Sequence, residues 1–351
     1  YAIPAYWVES ALDPEITIRK DILEKYDLEV PTTFEELTAA FITVMENWDG
    51  VQKPYIPMIG SNTSRFGLAS MTYDEWPYVI YDKVFLVTQD GTVSNYFASD
   101  IFKKDCANAR LWYESGLISP DVLTTTSDQL NNQLNSGDWF VHAGTVGDIT
   151  QIQNNYPDIT TDDFINLNLA PEKTRIRPYG TRNMNAVPAA SEHPEAAVKF
   201  LNWVYASQEN YDLMIYGREG IDYTIVGDRS ISIIADPITG AAGYSFADWM
   251  LGNVTFLRTS ITAPKATVDA LYTLNDTAVE GYAAKFTFDA SNVQTQYADV
   301  MTQISAVIAP IACGVLDYDA NIDDALAMLQ AAGVDELIAE FQAQLDASKA
   351  E

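Results

Sequence analysis

Between Leu130 and Gly144 the chain changes its hydrophobic period within a few residues, and that change constrains the fold more than any other feature. Leu130 and Leu134 stand at helical spacing behind Ser127, which reads as an N-cap. Asn135-Ser136-Gly137-Asp138 then breaks the helix, and Trp139-Phe140-Val141-His142-Ala143-Gly144 follows as a short apolar strand running into a glycine turn. Helix, tight turn and strand in that order are the α-to-β half of an α/β repeat.

The remaining helix signals are regularly spaced. Thr33-Phe34-Glu35-Glu36 has the spacing of a capping box, with Pro31 just upstream, and Phe34, Leu37, Phe41, Val44 and Trp48 form one apolar face. The Pro/Gly-rich stretch from Lys53 to Gly60 ends that unit; its apolar run Tyr55 to Ile59 fits a strand. A helix starting at Asp100 carries Phe102, Cys106, Ala109 and Tyr113 on one side, and Gly116 closes it as a left-handed residue. Another begins near His193-Pro194, with proline in its first turn and Ala197, Leu201 and Val204 inward; it continues through Ser207 into a second piece ending at Gly217. Two helices finish the chain. One runs from about Asn321 with Ile322, Leu326 and Leu329 inward; the other is capped by Asp335 and buries Leu337, Ile338, Phe341 and Leu345. Alternating helices and short strands give the fold class α/β.

Composition removes several functions. With 49 acidic against 20 basic residues, a formal charge of −29 repels phosphate backbones and anionic lipid headgroups, so nucleic acid is not an expected partner. Such surfaces also favour a monomer. Cys106 and Cys313 are too few for a disulfide framework, although one bond between them stays open, and two histidines cannot supply a multi-histidine metal centre. No nucleophile elbow, HExxH pair, P-loop or dinucleotide fingerprint is present, and no cofactor is implied. The Asp/Asn-rich stretch Asp317 to Asp324 lacks the glycine and glutamate of a calcium loop and reads as a turn and helix cap. A glycoside-processing enzyme needs only two carboxylates, so that class stays as an alternative.

What stands out is aromatic residues away from helical apolar faces: Tyr6-Trp7, Trp76 and Tyr78 beside Asp74 and Glu75, Tyr179-Gly180-Thr181-Arg182 at the end of an expected strand, and Trp249 in a glycine-flanked stretch. A sugar ring lays its apolar face on an indole or phenol, while its hydroxyls seek planar Asp, Asn, Glu and Arg partners. Aromatic residues next to carboxylates are the composition of a sugar site.

Several segments then match one family. Tyr1-Ala2-Ile3-Pro4, the "RKDILEKYDLEVPTTFEEL" segment from Arg19 to Leu37, "LNSGDWFVHAGTVGD" from Leu134 to Asp148, and Ala189 to Tyr223 with its "YGREGIDY" turn resemble the family 1 extracellular solute-binding proteins of bacterial ABC importers. Asp27 stands where the family usually has glycine. Within the family the chain is similar to the LipO-like lipoproteins, whose helical C-terminal extension the stretch from Phe286 to Leu345 resembles.

The resemblance implies a two-lobed periplasmic-binding-protein-like fold of type II, with lobe one largely missing from this chain. It implies lobe two over 1–180 from the first hinge crossing, a remnant of lobe one over 181–230, and a return to lobe two with the helical extension over 231–351. Part of the remnant's apolar face is then expected to be exposed. It further implies capture of a solute by hinge closure and delivery to membrane permease subunits, at the extracellular face of a membrane, with a lipid anchor on a segment outside this chain. A carbohydrate is the expected solute; a peptide or carboxylate is the alternative. The ligand-facing positions it implies are Tyr6, Trp7 and Glu9 after the first crossing, Asn62, Arg65 and Trp76 in an early loop, His142 and Thr145 in the helix-glycine-strand unit, and Tyr179 with Arg182 at the second crossing. Trp249 joins them as an aromatic candidate.

Overall fold

The helix-turn-strand unit is present in a computed structural model of the chain, which describes residues 2–7, 16–60, 67–181, 183–236 and 242–350. In chain order the first elements are β1 (Ala2–Pro4), β2 (Ile16–Arg19), α1 (Lys20–Lys25), α2 (Phe34–Asn47), β3 (Tyr78–Tyr81), β4 (Phe85–Thr88), β5 (Val93–Asn95), α3 (Asp100–Glu114), α4 (Ser127–Ser136), β6 (Val141–His142), β7 (Phe164–Leu167), β8 (Ile176–Arg177) and β9 (Met184–Ala186). There follow α5 (Pro194–Val204), α6 (Gln208–Ile215), β10 (Tyr223–Ile225), β11 (Ser230–Ile233), β12 (Thr259–Ser260), α7 (Lys265–Thr277), β13 (Val279–Glu280), α8 (Gln294–Gln303), α9 (Ala309–Ala312), α10 (Tyr318–Ala331) and α11 (Val334–Ala350).

Local chemistry sets these boundaries, sometimes one residue from where the pattern points. The box that starts α4 uses Thr126 and Gln129, so Ser127 is the first helical residue rather than the cap. At α2 the Thr33 hydroxyl accepts from the Glu36 N–H, while the Glu36 carboxylate reaches back to the N–H and hydroxyl of Thr32. Gly137 closes α4 at φ 77°, and a Cβ there would lie 2.7 Å from Ile152 Cγ2, so this position needs glycine twice over. Asp317 caps α10 by accepting from the Ala320 N–H at 2.9 Å, whereas Asp335 sits inside the first turn of α11, where a carboxylate complements the helix dipole. Tyr55 to Ile59 forms no strand; Ile56 instead donates to the Leu117 carbonyl as part of a loop. On α3 Trp112 is fully buried where Tyr113 is only half-buried, and Tyr78 belongs to the buried strand β3 rather than to an irregular stretch.

Four apolar clusters organise the packing. The first joins the β3–β4–β5 meander and one face of α3 to α8, α10 and α11. Phe341 of α11 stacks on Phe85 at 4.2 Å, and Gln342 bonds both the Val93 N–H and the Gly91 carbonyl, so the C-terminal helices dock on that meander. The second cluster surrounds the β6–β2–β7 sheet with α1, α2 and the other face of α3. Trp112 stacks on Phe34 at 5.4 Å there and donates its indole N–H to Thr38. The third collects Leu201, Val204, Tyr211, Ile215, Tyr216, Tyr223, Ile231 and Leu251, so packing groups residues on both sides of 231 with α5 and α6. The fourth, around Trp139, Val146, Ile149 and Phe164, lies beneath the loop after β6.

Cys106 and Cys313 are both buried and free, and burial pushes the Cys313 thiol up to about 12. On α5, Phe200 and Trp203 stack on each other at the surface, 46% and 39% exposed, opposite the buried Leu201 and Val204. No helix among the described residues is long and apolar enough to cross a membrane.

Candidate functional site

The chain crosses between the third cluster and the β6–β2–β7 sheet at three places, and the crossings are bonded to one another. β1 pairs antiparallel with β9 in the register Ala2↔Ala186, Ile3↔Asn185 and Pro4↔Met184. The Ala5 N–H donates to the Asn183 carbonyl at 2.8 Å, and the Thr181 hydroxyl donates to the Ala5 carbonyl at 3.0 Å. The first two crossings therefore form one ribbon, although they lie far apart in sequence.

A 3₁₀ turn, Asp248–Leu251, closes on this ribbon. Asn185 donates through Nδ2 to the Met250 carbonyl at 3.1 Å, the Tyr6 N–H donates to Gly252, and the Val254 N–H donates to Tyr6. Trp7 lies over Gly252, whose missing side chain makes the room: a Cβ would fall 2.4 Å from Trp7 Cε3. Tyr6 is 52% exposed and Trp249 is 47% exposed. Next to them Asp248 is half-buried, and burial raises its carboxyl above the ordinary range. The ribbon thus presents aromatic faces whose backbone is held by amide and hydroxyl bonds.

His142 and Thr145 occupy a second group. Thr17 pairs with His142 and Ile16 with Leu167, which puts the carboxyl ends of β6 and β7 at the end of the sheet where the chain enters β2. In open α/β sheets ligands bind outside the carboxyl ends of strands. Thr145 is exposed in the loop 143–150, which Thr17 braces by donating to the Gly144 carbonyl at 2.6 Å. His142 itself is 5% exposed and meets Trp139 edge-on at 5.9 Å, an inward placement that sequence pattern does not convey.

Trp76 and Tyr179 lie elsewhere. Trp76 packs against the first cluster, edge-on to Tyr78 at 5.5 Å, with its indole N–H donating to the Thr174 carbonyl at 2.9 Å. Tyr179 packs edge-on to Tyr81 at 5.4 Å, just before Gly180 bonds to the Ala284 carbonyl. The structure gathers Tyr6, Trp7 and Trp249, and separately His142 and Thr145; it places Trp76 and Tyr179 on the first cluster. Glu9, Asn62, Arg65 and Arg182 lie outside the described residues.

The third crossing, residues 259–265, carries no aromatic signal and is invisible to a search for sugar-type residues. Ile149 donates to the Thr262 carbonyl at 3.0 Å, and the Thr262 hydroxyl donates to Asp148, so this crossing holds the loop that carries Thr145. Among the described residues no group of three or more His, Cys, Asp or Glu side chains gathers in a metal-binding arrangement.

A model of the bacterial extracellular solute-binding protein family matches residues 3–211, more than half of the chain. The chain belongs to the bacterial extracellular solute-binding proteins. Residues 282–350, which include α8 to α11, match a second model, a domain of unknown function (DUF3502). Among solved structures, the N-glycan transport solute binding protein of Streptococcus pneumoniae superposes with a TM-score of 0.72 at 20% identity, over 99% of this solute-binding protein and 74% of that one. A human-milk-oligosaccharide (HMO) binding, ABC-transporter-associated solute binding protein from Bifidobacterium longum infantis gives a TM-score of 0.60 at 19% identity, covering 99% and 76%. An S. pneumoniae ABC-transporter substrate binding protein, FusA, solved as an EF-hand mutant with fructo-nystose, gives 0.60 at 18% identity, covering 99% and 75%. Among curated protein sequences none matches the chain. These likenesses establish the mixed α/β substrate-binding-protein fold with its helical C-terminal part, and the family is one of transporter binding proteins rather than enzymes.

Proposed function

We propose that this solute-binding protein captures an oligosaccharide for an ABC importer, by closing about the crossings and handing the ligand to the permease. The observation that carries the reading is the ribbon: it brings together half-exposed Tyr6 and Trp249 and the Trp7 ring seated on Gly252. Indole and phenol faces held by a rigid backbone are what a pyranose ring stacks on. Thr145 supplies a hydroxyl from the sheet end, where His142 is buried, and Tyr179 and Trp76 flank the second crossing. Glu9, Asn62, Arg65 and Arg182 are further proposed ligand contacts.

Solved proteins of this fold support the ligand class. One similar structure holds Man1GlcNAc and another holds kestose, at identities of 19% and 16%. The match over 282–350 supports a distinct helical C-terminal part; its assignment to the LipO-like lipoproteins, with lipid anchoring at the extracellular face of the membrane, is part of the proposal. The protein works as a monomer in this reading, without a cofactor.

A thermal-shift screen of the protein against mono-, oligo- and acidic saccharides, with peptides as controls, tests the proposal. A ligand that binds only the folded state stabilises it by RT ln(1 + [L]/Kd), about 2.7 kcal/mol at a hundredfold excess over Kd. A shift with one saccharide class supports it. Shifts with peptides or carboxylates alone would replace the sugar by another solute, and turnover of a glycoside would replace capture by catalysis.

A further inference from the structure

Residues 282–350, the domain of unknown function, cover the first cluster and also reach the segment that leads from β8 toward the ribbon. β13 pairs in parallel with β8, Val279 opposite Ile176 and Glu280 opposite Arg177, and the Gly281 N–H donates to the Arg177 carbonyl at 2.9 Å. Directly afterwards the chain makes two short turns, the Ala284 N–H donating to Gly281 at 3.0 Å and the Phe286 N–H to Ala283 at 2.9 Å. These turns aim the Ala284 carbonyl at the Gly180 N–H, 2.6 Å away. A Cβ at position 180 would stand 3.4 Å from that oxygen, so backbone meets backbone with nothing between.

A second contact runs through side chains. Phe286 and Phe288 close round Phe341 of α11 at 5.0 and 5.1 Å, and Phe341 lies 6.2 Å from the ring of Tyr81. Tyr81 is buried, meets Tyr179 edge-on at 5.4 Å and donates its hydroxyl to the Pro178 carbonyl at 2.7 Å. Proline has no N–H, so that carbonyl is the one backbone hydrogen-bonding group Pro178 offers. Onward from there, the Thr181 hydroxyl donates to the carbonyl of Ala5, the residue before Tyr6. Burying the apolar faces of α8, α10 and α11 on the meander requires neither the Tyr81 hydroxyl nor the Ala284 carbonyl. Both are spent on the four residues that lead toward the ribbon, and a binding platform needs a supporting shell that holds it to roughly 0.5 Å.

We propose that the domain of unknown function is a positioning domain for the saccharide platform. Ala284 directly, and Phe341 by way of Tyr81, fix Pro178 to Thr181, and Thr181 in turn fixes Ala5 beside Tyr6. The C-terminal helices thereby set where the aromatic face of Tyr6 stands without touching the ligand themselves. The positioning stands on the bonds and ring contacts; its effect on binding rests on the capture reading above.

Three variants of the whole chain test it. Tyr81→Phe removes the hydroxyl and keeps the ring; Phe341→Leu keeps an apolar filler and removes the ring that backs Tyr81. Leu329→Ala, in the buried face of α10, is the control for lost packing in the same cluster. Circular dichroism melts confirm folding of each. Tyr81→Phe is expected to speed amide exchange at Gly180 and Ala5 about fivefold, the worth of one hydrogen bond, with Phe341→Leu acting in the same direction. Leu329→Ala is expected to lower the melting temperature and leave those two amides slow. Unchanged exchange at Gly180 and Ala5 in both ring variants overturns the proposal, and so does an equal response in Leu329→Ala, which leaves packing alone. Titration with Man5GlcNAc and with kestose reads the effect on binding: a sugar that binds the parent is expected to bind Tyr81→Phe about threefold more weakly. Equal affinity despite faster exchange overturns the positioning role. If neither sugar binds the parent while the exchange effects appear, capture of these sugars fails and the positioning of the ribbon stands.

Discussion

Replacing Gly252 with alanine perturbs the seat of Trp7 and little else. The backbone at Gly252 has φ −55°, which any residue adopts, so the substitution brings no backbone strain. The added Cβ would stand 2.4 Å from Trp7 Cε3, where ordinary contact begins near 3.4 Å, so the ring must retreat by roughly 1 Å. Trp7 is only half-buried, and the ring can yield at less than the 1–3 kcal/mol that overpacking costs in a closed core. Stacking geometry suffers more. An aromatic platform contributes about 0.5–1.5 kcal/mol beyond its buried area, and each 1.4 kcal/mol is tenfold in affinity. We therefore expect Gly252→Ala to weaken oligosaccharide binding by roughly 3- to 10-fold while lowering the unfolding free energy by less than about 1 kcal/mol. Calorimetric titration beside a urea melt reads both. Unchanged affinity with a displaced Trp7, seen as an altered fluorescence maximum, refutes the platform role.

Three further outcomes follow from the packing. Burial raises the Asp105 carboxyl to about 6, against the hydroxyl bonds from Tyr96 and Tyr73 that favour its ionised form. A folded pKa above the unfolded value means the folded state holds the proton more tightly, so this stability is present below about pH 4 and is lost as pH rises through about 6. Asp105→Asn is expected to flatten that part of the stability–pH curve and to match or exceed the parent protein at pH 7 by about 1–3 kcal/mol; parallel curves between pH 4 and 7 would contradict it. Arg19 is fully buried, clasps Asp21 with two nitrogens and donates to the Gly137 carbonyl at 2.8 Å. Arg19→Met leaves that carbonyl with the Trp139 N–H alone and strips Asp21 of both guanidinium donors, and is expected to cost about 2–4 kcal/mol in a urea melt, a loss under 1 kcal/mol arguing against it. Phe341→Ala empties the ring stack against Phe85 and is expected to cost about 3–5 kcal/mol, with amide protection falling first in β4 and β5.

Elements fixed by local chemistry were legible in the sequence. The helices at Phe34 and Asp100 carry their caps and apolar faces within a turn or two, those around Pro194 and Leu337 carry their apolar faces, and the glycines at 116, 137 and 217 adopt a left-handed backbone just past helix ends. Errors came where a neighbour distant in sequence decides. Tyr55 to Ile59 has strand composition but no ladder partner, and Trp76 looks free until the Thr174 carbonyl takes its N–H. Of the candidate site, Tyr6, Trp7 and Trp249 could be suspected as aromatics outside helical faces. Their meeting depends on the β1–β9 pairing, a contact between remote segments that periodicity cannot reveal. The third crossing was missed because Thr259-Ser260-Ile261-Thr262 reads as an ordinary polar loop, and only its bonds to β11 and to Ile149, both remote in sequence, show what it joins.

The claim at the centre of this account is that the crossing ribbon of a solute-binding protein forms a saccharide platform. Isothermal titration with oligosaccharides, with acidic saccharides and with peptides, on the protein and on its Trp249→Ala variant, tests it most directly. Saturable binding of one saccharide class is expected, weakened at least fivefold in the variant while its melting temperature is unchanged. Binding of a peptide or simple carboxylate and of no saccharide, or equal saccharide affinity in the variant, would contradict it.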